Sequence, residues 1–165
     1  MNRHIFILLT QAVLVVRVSG KLCNHRNINI VGRIVFGEAR RESMMGQLNV
    51  AYSIVNRLGH PSYPDTLDEV VDEKTNNGSY QYETLNNDID TQAWNYAKQT
   101  GTDEYDNAHA VSYDALCSRK IDTISCATDY CAFDPCNATN SIMGGTATRK
   151  MKIGKRYFVC REPAY

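Results

Sequence analysis

One stretch decides the reading of this chain: Ile30-Val31-Gly32-Arg33-Ile34-Val35-Phe36-Gly37-Glu38-Ala39-Arg40-Arg41-Glu42-Ser43-Met44-Met45-Gly46-Gln47-Leu48-Asn49-Val50-Ala51-Tyr52-Ser53-Ile54-Val55-Asn56-Arg57-Leu58. Ile30, Val31, Ile34 and Val35 recur at helical spacing and predict a helix over 28–41. Ser43 can cap a second helix. Leu48, Ala51, Ile54, Val55 and Leu58 mark its buried face, and Gly59 is its C-terminal stop. At the end of the first helix Glu38 follows three apolar residues and a glycine. A carboxyl held against apolar side chains resists ionisation, so it can stay protonated near neutral pH and act as a general acid. The bland alternative is a solvated glutamate paired with Arg33, Arg40 or Arg41. Gly37 removes a side chain beside Glu38, which could let a bulky substrate approach.

Outward from this stretch the chain stays mostly helical. Thr66-Leu67-Asp68-Glu69 fits a capping box and opens a short helix through Val70 and Val71. Residues 74–88, rich in Asn, Gly, Ser and Tyr, read as a loop. Asp90 or Thr91 starts a helix through Ala93, Trp94 and Ala97 that ends at Gly101. Lys150 to Arg161 alternates around Gly154-Lys155, a hairpin signal. The expected class is α+β: mainly helical, with a small β hairpin and a disulfide-stapled C-terminal lobe.

The chain has 165 residues, enough for one domain with a real core. Its 18 basic and 18 acidic side chains cancel, so it lacks the basic excess of a nucleic-acid binder. Met1-Asn2-Arg3-His4 is a short basic head, Ile5 to Val16 an apolar run, and Val18-Ser19-Gly20 a cleavage pattern. This is the signature of a secretory signal peptide over residues 1–20. The run is shorter than the roughly 20 apolar residues of a membrane span. Cleavage removes Arg3, Arg17 and no acid, leaving 16 bases against 18 acids in a domain over 21–165. No later stretch is apolar and long enough to span a membrane, so the expected product is secreted, with no membrane partner once the signal is cleaved.

Six cysteines follow the leader: Cys23, Cys117, Cys126, Cys131, Cys136 and Cys160. In a secreted chain they read as up to three disulfides, with fifteen connectivities open. Cys23 is expected to tie the N-terminal end to the C-terminal region, where the other five crowd. Zinc is the competing reading, but the cysteine spacing and the scattered His25, His60 and His109 do not fit structural zinc sites. Asn77-Gly78-Ser79 and Asn137-Ala138-Thr139 are N-glycosylation sequons.

Gly37-Glu38-Ala39-Arg40, Glu42, Gly46-Gln47 and Asn56-Arg57, set between two apolar helices, resemble the core motif of the spore-cortex-lytic, or cell-wall hydrolase, family. The resemblance continues at Tyr63-Pro64-Asp65-Thr66-Leu67, Val70-Val71, Gln81-Tyr82, Ala127-Thr128-Asp129-Tyr130 and Lys152-Ile153-Gly154 with Phe158. It implies a lysozyme-like fold and an enzyme that cleaves peptidoglycan between N-acetylmuramic acid and N-acetylglucosamine. It also implies that Glu38 is the catalytic acid, working alone as in lytic transglycosylases, with no metal or cofactor. A hydrolase would call for a second carboxylate, and Glu42, Glu83, Asp88 and Asp90 are all candidates.

Gln81, Tyr82, Thr128 and Tyr130 are the expected substrate-binding residues, and Tyr80, Tyr82 and Trp94 could offer flat faces to sugar rings. For Tyr82 and Trp94 the competing reading is core packing. Asn56 and Arg57 read as a helix-end cap and a buried ion pair. The chain departs from the family where Asp129 and Arg156 stand in place of the usual His, and Glu83 in place of Ser. These departures leave open a peptidoglycan-binding or defence protein that has lost turnover. A monomer is expected.

Overall fold

The computed structural model describes residues 22–75, 77–118, 120–133, 136 and 147–161. The leader expected over 1–20 and the sequon at Asn137 lie outside the described residues. The fold is α+β: among the described residues five α-helices and one 3-10 turn precede a three-stranded antiparallel sheet.

Helix α1 (His25–Ala39) starts three residues before the periodicity predicts, because Asn24 caps it by accepting from the Asn27 N–H. Ile28, Val31, Ile34, Val35 and Phe36 fill the core. Helix α2 (Met44–Leu58) opens on Ser43, whose hydroxyl accepts from the Gly46 N–H at 3.2 Å, and closes at Gly59. On its predicted buried face Leu48, Ala51 and Ile54 are buried, while Val55 and Leu58 are partly so. Thr66 caps the short α3 (Leu67–Val71), accepting from the Glu69 N–H and donating to the Glu69 carboxylate.

The expected loop after α3 holds a 3-10 turn (Glu83–Leu85). Helix α4 (Asp88–Thr100) begins at Asp88, slightly earlier than predicted, since the Asn87 side chain accepts from the Ile89 and Asp90 N–H groups. Gly101 ends it with φ of 64°, a left-handed conformation that only glycine adopts without cost.

Two elements escaped the sequence reading. Helix α5 (Asp103–Leu116) packs on both α1 and α2 through Ala108, Val111, Ser112 and Leu116, a stripe too narrow and too polar to stand out as a periodicity. Strand β1 (Ala127–Cys131) carries no alternation that marks it as a strand. It becomes a strand by pairing with β3 (Arg156–Arg161), which also pairs with β2 (Ala147–Ile153) around Gly154-Lys155 as the hairpin signal predicted. The sheet order is β1-β3-β2.

All six cysteines are bridged: Cys23–Cys117, Cys126–Cys160 and Cys131–Cys136. The partner of Cys23 sits at the end of α5 and is the first of the five clustered cysteines. That bridge spans 94 residues, a closure worth about 4–5 kcal/mol in a chain-entropy treatment. Cys126–Cys160 ties the start of β1 to the central strand.

Gly37, on the last turn of α1, has its packing partner inside the protein. A Cβ there would lie 2.0 Å from the Thr84 Oγ1 and 2.5 Å from the Thr84 Cβ. The space expected for substrate is therefore filled by the 3-10 turn, which presses directly on the α1 backbone. Gly37→Ala should destabilise the protein by about 1–3 kcal/mol, the usual cost of overpacking, measured by urea denaturation. Recovery of part of that loss in Gly37→Ala/Thr84→Gly would locate the clash, and unchanged stability in the single variant would refute the contact.

Candidate active site

Glu38 occupies the last turn of α1, where the helix leaves the core and meets the sheet. Its side chain is half-buried. It lines an open pocket of about 350 Å³ formed by residues 37–42 and Arg156. The carboxyl is pushed above its ordinary value, first by burial, which penalises the charged form. The Arg156 charge and a hydrogen bond from Tyr130 oppose that rise, while the charges of Asp90 and Glu83 add to it. These groups come from β3, β1, α4 and the 3-10 turn, so four separate elements converge on one proton.

Tyr130 reaches Glu38 from the sheet. Burial, then the neighbouring Glu38 charge, hold its phenol well above the ordinary value, so it remains a hydrogen-bond donor. Arg156 completes the cluster. Its guanidinium lies 5.0 Å from the Tyr130 ring centroid, its Nη2 donates to the Glu38 carbonyl oxygen, and its Nε is 4.0 Å from the Glu42 carboxylate. The Lys155 N–H also points at Glu42, at 3.4 Å. Glu42 thus anchors the hairpin turn to the loop after α1.

The other expected site residues are placed differently. Tyr82 is fully buried, with the Arg57 guanidinium 5.2 Å from its ring centroid. Its ring has no face open to a sugar, so the core reading replaces the platform reading. Trp94 is likewise buried, edge-on to Phe36 at 5.5 Å and tilted against Tyr105. Thr128 is buried behind the site, its hydroxyl donating to Asp129 and its carbonyl accepting from Arg57 Nε. Gln81 is half-buried, bonds Glu73 through its backbone N–H, and does not line the Glu38 pocket. Tyr80 sits in a small bridge with Lys74. Of the four residues expected beside Glu38, Tyr130 is the one in contact with it.

Asp129, where the family usually carries His, is 5% exposed and turned inward. It pairs with Arg57 at 3.4 Å and Arg161 at 2.7 Å, and Tyr63 donates to it. This is the buried ion pair expected of Arg57; Asn56, expected to cap the helix end, instead donates from Nδ2 to the Ala127 carbonyl of β1, and the helix closes at Gly59. Arg156, the second departure, faces the pocket. The sequence had marked it only as a replaced histidine; nothing local in Lys155-Arg156-Tyr157 shows that a hairpin brings it to Glu38. Among the described residues no three His, Cys, Asp or Glu side chains gather into a metal-holding group. No helix among them is long and apolar enough to cross a membrane.

No solved structure matches the chain. A spore cortex-lytic enzyme of Halalkalibacterium halodurans is 43% identical over 45 residues, which is 27% of this chain and 14% of that protein. The chain therefore matches only a small part of that relative's length. Residues 41–159 match the family model described as Cell Wall Hydrolase. The matched region opens three residues after Glu38 and takes in Glu42, Tyr130 and Arg156. Since it covers most of the sequence, from the second helix through the sheet that closes on Glu38, the chain belongs to the Cell Wall Hydrolase family.

Proposed function

We propose that this protein is a secreted enzyme that cuts peptidoglycan strands between N-acetylmuramic acid and N-acetylglucosamine, with Glu38 as acid and then base. The observation that carries this reading is the placement of Glu38: a carboxyl raised by burial at an open pocket, held by Tyr130 and flanked by Arg156. Three disulfides support an oxidising, extracellular setting.

The protonated carboxyl gives its proton to the glycosidic oxygen as the bond to the anomeric carbon breaks. Charge develops on the sugar while Glu38 becomes a carboxylate. That carboxylate takes the proton of the muramic 6-hydroxyl, whose oxygen closes on the anomeric carbon. The products are a free 4-hydroxyl and a 1,6-anhydro end, no water is consumed, and Glu38 ends protonated. Hydrolysis is the second reading. It is favoured by Glu83 and Asp90, the two acids whose charges act on Glu38, since either could activate water. Glu42, tied to the hairpin, suits that task less well.

Purified protein and Glu38→Gln, incubated with peptidoglycan, separate these readings by the muropeptides released. The variant should lose about 10²–10⁴-fold in rate, and equal activity would sink the assigned role. Anhydro ends identify the transglycosylase and reducing ends the hydrolase. A carboxyl whose value is raised by folding destabilises the native state as pH climbs through that value. Glu38→Gln should therefore melt at or above the wild-type temperature at neutral pH, so that lost activity is not lost folding.

The first step needs the protonated form, so kcat/KM should fall as pH rises through the Glu38 value. Arg156→Gln removes the charge that holds this value down, and the alkaline limb should move to higher pH. Arg156→Lys keeps the charge and should leave the limb close to wild type. Superimposable profiles for wild type and Arg156→Gln would show that Arg156 does not act on this proton.

A further inference from the structure

A second pocket of about 320 Å³ has Arg40 and Arg41 in its lining. The two pockets share both arginines in their linings, so they adjoin at Arg40 and Arg41. The floor of the second is apolar, made by Phe36, Ala93 and Ala97, with Trp94 packed edge-on beneath Phe36. Tyr96 stands on its wall and is 68% exposed. Glu104 also lines it. Arg40 is held over the Phe36 ring at 5.1 Å and donates to the Phe36 carbonyl, while Arg41 is exposed.

An exposed aromatic ring beside an apolar lining, with one held guanidinium at Arg40 and one exposed at Arg41, is suited to a chain that alternates apolar sugar faces with carboxylates. Peptidoglycan has this chemistry, since its rings carry C–H faces and its muramic residues carry acidic peptide stems. Of the three aromatic residues first considered as platforms, Tyr82 and Trp94 are buried and Tyr80 is half-buried with Lys74 over its ring, whereas Tyr96 projects into solvent from the same helix as Trp94. We propose that the Tyr96 pocket is a glycan subsite that holds the continuation of the strand bound at Glu38, with Tyr96 stacking on a sugar ring and Arg41 meeting stem carboxylates. This inference rests on the reading of the Glu38 pocket as the cleavage site.

Binding to the inactive Glu38→Gln protein tests it without turnover, using glycan strands of several disaccharides and fragments of one or two, all with stems attached. Tyr96→Ala in that background should weaken long-strand binding about tenfold, or about 1.4 kcal/mol, and so lower the ratio of long-strand to short-fragment affinity. Tyr96→Phe should keep that ratio, because the ring remains. Arg41→Gln should weaken binding of strands with stems more than of strands stripped of peptide by an amidase. A Tyr96→Ala ratio equal to the parent's overturns the subsite while leaving the cleavage site standing, and so does a Tyr96→Phe loss as large as that of Tyr96→Ala. No binding of any strand to the Glu38→Gln parent overturns both readings together. Released fragments without any Tyr96 effect on affinity would count against the subsite alone.

Discussion

The arrangement depends on a buried charge. Arg57, in the last turn of α2, is 1% exposed, and a guanidinium so placed is tolerated only when paired and bonded. Its Nε donates to the Thr128 carbonyl at 2.8 Å and its Nη2 faces Asp129, which Arg161 shares from the central strand. The rings of Tyr63 and Tyr82 flank it at 4.9 and 5.2 Å. Five parts of the chain must therefore be in place before this one cation is satisfied. Stranding either member of such a pair costs about 3–5 kcal/mol. Asp129 is thus fixed in register, and the next residue along the strand is Tyr130, which reaches Glu38.

Glu38 itself is held by opposing terms. Burial favours its protonated form, and so do Glu83 and Asp90. Arg156 and the Tyr130 hydroxyl favour the ionised form. In the role proposed for Glu38, giving a proton and then taking one, neither state should be too stable, and opposed influences serve that role better than burial alone. Two of these groups arrive by backbone contacts that leave little freedom. Thr84 sits against Gly37 and carries Glu83 beside the last turn of α1. Arg156 is clasped between the Glu38 carbonyl and Glu42.

Much of this was legible in the sequence where a local signal existed. The caps at Ser43 and Thr66, the stops at Gly59 and Gly101, and the hairpin around Gly154 depend on a few neighbouring residues, and each appears as read. Helix α5 was not legible because its buried stripe is made of Ala, Ser, Val and Leu among acids and tyrosines, and packing on two other helices supplies what periodicity lacks. Strand β1 was not legible because Asp129 breaks the apolar alternation, and only Arg57 and Arg161 make a buried aspartate affordable. At the site, Glu38 could be singled out from its own neighbourhood. Arg156 could not, since it lies 118 residues away and is brought in by strand pairing. Tyr82 was misplaced as a platform for a related reason: aromatic composition does not show which rings the fold covers.

The balance of charge over the whole chain is zero, so attraction to an anionic wall cannot come from net charge. What the surface offers instead is local. Arg40, Arg41 and Arg156 stand around the Glu38 pocket, against Glu38 and Glu42, and two of the three arginines continue to the next depression. A guanidinium fixed at a pocket rim acts over about a Debye length, roughly 8–10 Å at moderate salt. That reach suits the proposed strand, once seated in these pockets, better than capture from a distance. Affinity built this way grows with the number of sugars in contact, so a long strand would be favoured over its own cleavage products without any change in the catalytic group.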